Sequence, residues 1–169
     1  MNQFKIDNNA FEIRVKPANL VVRFFFLFLS IIMVLLPLSG LVYNISEGSE
    51  FHIGYIIGLG MFSLFGFYFL RLYLWNTGGK EVITISQNLI EYYADYIYFK
   101  GNQQKINFER IVFDFESIGF EDEEKGVLCL IVSENRFIKC AAILPISELN
   151  KLIETLNKKY NSIEIKVKD

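Results

Sequence analysis

The sequence predicts a two-helix membrane hairpin carrying a small α+β domain, and three observations predict it. Two uncharged apolar runs, residues 24–43 and 53–70, stand in the first half of the chain. Only a short polar link, residues 44–52, separates them, too little for a domain. Beyond residue 75 the pattern changes to short alternating segments and then to one amphipathic stretch. A helix rises about 1.5 Å per residue, so about 20 residues match a hydrocarbon core of about 30 Å. The chain is 52% hydrophobic, with mean hydropathy +0.30. That excess over soluble domains sits in residues 20–75, and the remainder has ordinary globular composition.

Residues 1–19 read as an N-terminal β-hairpin. Residues 4–6 and 11–16 are strand-like around the turn Asp7-Asn8-Asn9, and Phe11, Ile13 and Val15 alternate with Glu12, Arg14 and Lys16. An isolated hairpin is marginal in water, so these strands are expected to join a sheet formed by the C-terminal half.

Residues 20–75 form the membrane hairpin, with spans at about 24–43 and 53–72. Lys5, Arg14, Lys16 and Arg23 precede the first span, and Arg71 and Lys80 follow the second. The link carries Glu47 and Glu50 without Lys or Arg. Positive residues stay on the cytoplasmic side, which puts both termini in the cytoplasm. The first run is too long for a cleaved signal peptide, and no A-x-A-like site follows it. Pro37 is expected to kink the first span, with Ser30 and Ser39 available to the freed backbone. Gly54 and Gly58 make a G-x-x-x-G pair that lets helices approach closely, and Gly60 and Gly66 add more smooth surface. Packing against the first span of the same chain is its expected use, and homodimerisation the weaker one. Tyr43, Tyr73 and Trp75, with Arg71 and Lys80, are the candidate membrane-interface anchors. Neither core run holds an Asp, Glu, Lys or Arg of the kind that transporters and proton pumps need at depth.

Residues 77–169 form the polar domain. Asn76-Thr77-Gly78-Gly79 breaks the second helix. Residues 80–86 alternate around Ile83 and Ile85, and Gln87-Asn88 turns the chain. Residues 89–100 read as one long strand bent near Asp95, Gly101-Asn102 as a turn, and 105–108 as a short strand. Residues 111–120 put Ile111, Phe113 and Phe115 on one face, with Asp114 and Glu116 on the other. Residues 127–133 are nearly all apolar, as in a buried strand, and 137–142 return. Ile146, Leu149, Leu152, Ile153, Leu156 and Tyr160 then recur at helical spacing. Pro145 is expected in the first turn, or Ser147 as its cap. Residues 162–168 alternate again.

Catalytic signals are missing from the sequence. There is no nucleophile elbow, P-loop, dinucleotide fingerprint or metal-binding helix motif. The single histidine, His52, falls at a span end, where a headgroup-level role is expected. Cys129 and Cys140 read as reduced, packed thiols. The net charge of −2, without a basic cluster, argues against a nucleic-acid partner. The expectation is therefore no catalytic residue, no cofactor and no metal. The candidate partner surface is the acidic run Glu121-Asp122-Glu123-Glu124 together with Tyr92 and Tyr93.

Antiparallel strands closed by one amphipathic helix resemble a pleckstrin-homology-like (PH-like) domain. The order of elements, the link Leu74-Trp75-Asn76-Thr77-Gly78-Gly79-Lys80 and Ile143-Leu144-Pro145 before the last helix make the chain similar to small bacterial two-span membrane proteins of the YcxB-like family. The resemblance covers roughly residues 20–160. It implies a bent antiparallel sheet closed by a C-terminal helix and a place in the bacterial inner membrane, and it implies no catalytic residues. The expected function is a non-enzymatic membrane protein, in contact with lipid, whose cytosolic domain binds a protein partner. One specific form is an immunity protein against a membrane-acting toxin. The rival expectations are a lipid-sensing or envelope-stress regulator and a structural subunit of a membrane complex.

Overall fold

Long uninterrupted apolar sequence gives two long helices in the computed structural model, which describes residues 3–48, 52–119, 124–133 and 135–160. The first, α1, spans Leu20–Ser46, and the second, α2, spans Ile53–Gly78. Both are long and apolar enough to cross a membrane, and only 6% of the most apolar window of each is buried within the protein. A core helix of a soluble protein shows the reverse. The chain divides into two compact units, one of Pro17–Thr77 and the other of Met1–Lys16 with Gly78–Asp169.

In the helical unit, α1 starts four residues before the expected span because Asn19 caps it. The Asn19 Oδ1 accepts from the Val21 amide at 3.3 Å. At the other end, α2 continues to Gly78, through the segment expected to break it. The Asn76 side chain donates to the Leu72 carbonyl at 2.8 Å, and the Thr77 hydroxyl donates to the Tyr73 carbonyl at 2.7 Å. Both are bonds back to the carbonyl four residues earlier, so these polar side chains find partners within α2 and the helix continues through them. Helix α1 stays helical through Pro37. Neither serine acts as expected there. Ser39 donates to the Leu36 carbonyl, and Ser30 donates to the Gly66 carbonyl of α2.

Among its described residues, the other unit holds eight strands and one helix. The strands β1 (Phe4–Ile6), β2 (Ala10–Arg14), β3 (Lys80–Ser86), β4 (Leu89–Asp95) and β5 (Lys100–Asn107) form one antiparallel sheet in that order. A second antiparallel sheet contains β6 (Val112–Ser117), β7 (Lys125–Ser133) and β8 (Arg136–Pro145). The N-terminal strands do join the sheet of the C-terminal half, with Phe11 opposite Ile83 and Ile13 opposite Glu81. They are therefore part of that unit and not a separate hairpin domain.

Three segments differ from expectation. Residues 89–100 are not one strand. The chain turns at 96–99, and β5 runs back along β4. Gly101-Asn102 lies inside β5, where the register slips between Tyr92 and Ala94 and Asn102 takes a φ of 52°. A bulge with a left-handed residue uses the same Gly/Asn chemistry as a turn, which is why the two look alike in sequence. Pro145 ends β8 instead of opening the helix, and α3 (Ile146–Tyr160) begins at the next residue. Its first amide donates to the Glu124 carbonyl at 3.0 Å. The tail 162–168 lies outside the described residues.

One core serves both sheets and α3. Phe11, Ile13, Ile83 and Ile90 enter it from the first sheet, Leu128, Leu130, Ile138 and Leu144 from the second, and Leu149, Leu152 and Leu156 from the helix. The α3 stripe is the one read from its spacing. Gly126 allows a close approach, since a Cβ there would lie 2.8 Å from the Glu116 carbonyl oxygen and 3.0 Å from Leu149 Cδ1.

Candidate functional site

The most unusual chemistry of the strand unit is a buried carboxylate between the two sheets. Side chains alternate along β3, so Glu81 shares its face with Ile83 and Ile85 and points into the core. Its exposure is 0%. Three donors converge on it. The Tyr92 hydroxyl donates to Oε1 at 2.5 Å, the Ala141 amide to Oε1 at 2.7 Å and the Ala142 amide to Oε2 at 2.9 Å.

Local structure explains why two consecutive amides are available. The register of β8 against β7 shifts between Val127 and Cys129. The bulged residues leave the ladder, and the Glu81 carboxylate of the opposite sheet accepts from their amides. Burial raises the Glu81 carboxyl above its usual range, and the three donors act against that rise. The Tyr92 hydroxyl is raised by burial and by the neighbouring Glu81 charge. Cys140, fully buried nearby, is pushed well up by burial first and then by the same charge. A thiol so held is a poor nucleophile. All three donors of the cluster are spent on Glu81, which makes it a staple between sheets. Sequence reading missed it. The available signal was parity, since Glu81 falls on the inward register of Ile83 and Ile85.

Tyr92 is thus no part of a partner surface. Its ring belongs to the inward set of β4 and is 3% exposed. Tyr93, one residue on, faces outward with the Lys100 Nζ 4.2 Å from its ring centroid. The same outer face carries Lys80 with Glu12 at 2.8 Å and Asp95 at 4.0 Å, and Lys105 with Glu91 at 2.5 Å. Lys80, expected as a lipid anchor, has its ammonium engaged in this charge ladder, and its pKa is raised chiefly by the bond to Glu12. In the acidic run only Glu124 is described. It is exposed, and its carbonyl serves α3. Glu121, Asp122 and Glu123 lie outside the described residues. No cluster of three or more His, Cys, Asp or Glu side chains forms a metal site among the described residues.

In the helical unit the close approach is at Gly66, not at Gly54 and Gly58. A Cβ on Gly66 would lie 2.9 Å from Val34 Cγ2 and 3.1 Å from the Ser30 carbonyl oxygen, whereas Gly54 and Gly58 meet nothing within 4 Å. The Ser30 hydroxyl bonds to the Gly66 carbonyl at 2.8 Å, Phe26 stacks on Phe69, and Arg23 Nε donates to Thr77 Oγ1 at 3.1 Å. Among the expected anchors, Tyr43 is exposed, and Arg71, Tyr73 and Trp75 are half-buried. No protein-family model matches the chain, and no curated protein matches it.

Proposed function

We propose that this is a non-enzymatic membrane protein whose PH-like cytosolic domain binds a protein partner by strand addition along β5. The single observation carrying this reading is that, among the described residues, β5 is the terminal strand of the five-stranded sheet. β5 is eight residues long, ends the sheet order, and is largely exposed along its length. Edge strands present unpaired backbone groups to an incoming strand. The antiparallel strands closed by α3 support the PH-like assignment, and with the helical hairpin they support the YcxB-like one. Two apolar helices flanked by basic residues support a bacterial inner-membrane location with both termini cytoplasmic. The immunity form of the proposal predicts a neighbouring toxin gene and raised toxin sensitivity on deletion.

The test is photo-crosslinking in cells with a reactive residue at Gln103, in β5, and separately at Asn88, in the β3–β4 turn. A discrete adduct at Gln103 and none at Asn88 is expected. No adduct at Gln103, or equal capture at both sites, refutes strand addition.

A further inference from the structure

The two sheets turn different surfaces outward. The outer side of the first carries the charge ladder of Glu12, Lys80, Asp95, Glu91 and Lys105. In the second, side chains alternate so that Phe113, Leu128, Leu130 and Ile138 enter the core, and their neighbours on β6, β7 and β8 face out. Register sets Val112 beside Ile131 and Ile131 beside Phe137, one apolar row across all three strands. Val112 is 44% exposed and Phe137 58%. The adjoining row is Asp114, Cys129 and Lys139. Lys139 also reaches Glu116 of β6 at 2.7 Å.

An exposed apolar row with an aromatic end, rimmed by charges, marks an interaction surface. The charges beside it say what docks there. The acids, Asp114 and Glu116, stand on β6 and the base, Lys139, on β8, with β7 between them. Such a face is complementary to itself. A two-fold axis along β7 lays β6 of one copy over β8 of the other. Asp114 then faces the Lys139 of the second copy and Val112 faces its Phe137, each contact made twice, while Cys129 and Ile131 lie against their own counterparts. An axis across the strands would set β6 over β6 and oppose acid to acid, so the charges select the first arrangement. Sheets packed in this way stay nearly aligned, about 10 Å apart.

We infer that the outer face of β6–β7–β8 is a self-association surface, and that its occupant is a second copy of this chain related by a two-fold axis along β7. Three strands about 4.8 Å apart, with six residues in β6 at about 3.4 Å each, make a face of about 14 by 20 Å. That is well below the roughly 800 Å² per partner of a standard interface. The pair is therefore weak in dilute solution and forms where two chains share one membrane at high effective concentration. The inference uses the second sheet alone and is independent of strand addition at β5.

The experiment uses the full chain at low density in phosphatidylcholine–phosphatidylglycerol vesicles, treated with a short bismaleimide that the buried Cys140 does not reach. Cys129 is expected to give a covalent dimer at a yield well above that of Asn88→Cys in a Cys129→Ser background, the reference in the β3–β4 turn. In the same background, copies with Val112→Cys and copies with Phe137→Cys, told apart by tags of different size, are mixed before reconstitution. The mixed dimer is expected to exceed both like dimers. Asp114→Lys should lower the Cys129 yield about tenfold, since each dimer holds the Asp114–Lys139 contact twice. Asp114→Lys with Lys139→Asp should restore the yield, which a misfolded variant would not do. A Cys129 yield no higher than the Asn88 reference overturns the interface. Like dimers that exceed the mixed one overturn the two-fold axis along β7. An Asp114→Lys yield equal to wild type, or a double variant that stays low, overturns the charge pairing and with it the self-complementary face.

Discussion

Replacing Glu81 by Gln tests whether the buried carboxylate staples the two sheets. The shape is kept, but the side chain then offers one acceptor oxygen and one donor nitrogen to three donors. If the amide oxygen replaces Oε1, the nitrogen confronts the Ala142 amide. If it replaces Oε2, the nitrogen confronts the Ala141 amide, while the Tyr92 hydroxyl can rotate to accept. One buried backbone N–H is orphaned either way, at a cost of about 1–3 kcal/mol. Removing the charge returns part of its burial penalty, which leaves a net loss of about 1 kcal/mol at neutral pH. Glu81→Ala orphans all three donors and costs about 3 kcal/mol or more. The pH dependence has a definite sign. The folded-state pKa lies above the ordinary 4.5, so between those values the folded protein binds more protons than the unfolded chain. The Glu81 contribution is complete below 4.5 and is lost as pH rises through the folded pKa. The gap between wild type and Glu81→Gln therefore narrows with rising pH across that window. Urea unfolding of the full chain in detergent micelles, with amide exchange at Ala141 and Ala142, measures both effects. Equal stability of wild type and Glu81→Gln at every pH, with both amides still protected, refutes the staple.

Three further outcomes follow from the packing. Gly66→Leu should destabilise the helix pair by about 1–3 kcal/mol because its Cβ meets Val34 and the Ser30 backbone, whereas Gly54→Ala and Gly58→Ala should change thermal stability in detergent little. Gly126→Ala should cost about 1–3 kcal/mol in urea unfolding, since Glu116 backbone and Leu149 stand in the way. A double-mutant cycle on the half-exposed Lys80–Glu12 pair should give a coupling below about 1 kcal/mol that fades at high salt.

The sequence announced what depends on long repetition. The apolar runs are long and continuous, the alternation of Phe11, Ile13 and Val15 and the α3 stripe repeat simple periods, and each is where its pattern put it. Local exceptions were harder to read. Gly101-Asn102 has turn chemistry but serves a bulge, and Asn76-Thr77 looks like a breaker but turns its side chains back onto carbonyls of its own helix. The partners of Glu81 come from β4 and β8, 11 to 61 residues away, so no window of sequence contains the site. Among the glycines, spacing put Gly54 and Gly58 first, with Gly60 and Gly66 as added smooth surface, but only the facing helix decides that Gly66 makes the contact.

The order of the chain gives the fold a further consequence. β2 precedes the helical hairpin and β3 follows it, yet they are neighbours in one sheet, with Arg14 opposite Lys80. The Val15 amide extends that ladder to the Gly79 carbonyl at 3.0 Å. The sheet can therefore be completed only after both apolar helices have been made and the chain has returned. β2 also brings Phe11 and Ile13, both fully buried. Burial of such side chains is worth about 1.5–3 kcal/mol each, so a fragment of residues 77–169 would lose about 3–6 kcal/mol and expose Ile83 along a new edge. Marginal domain stabilities are of that size. The fragment should therefore aggregate or show a molten near-ultraviolet spectrum, and adding a peptide of residues 3–16 should restore sharp amide dispersion. A fragment that folds cooperatively without the peptide would show that the strand before the membrane is dispensable to the sheet after it.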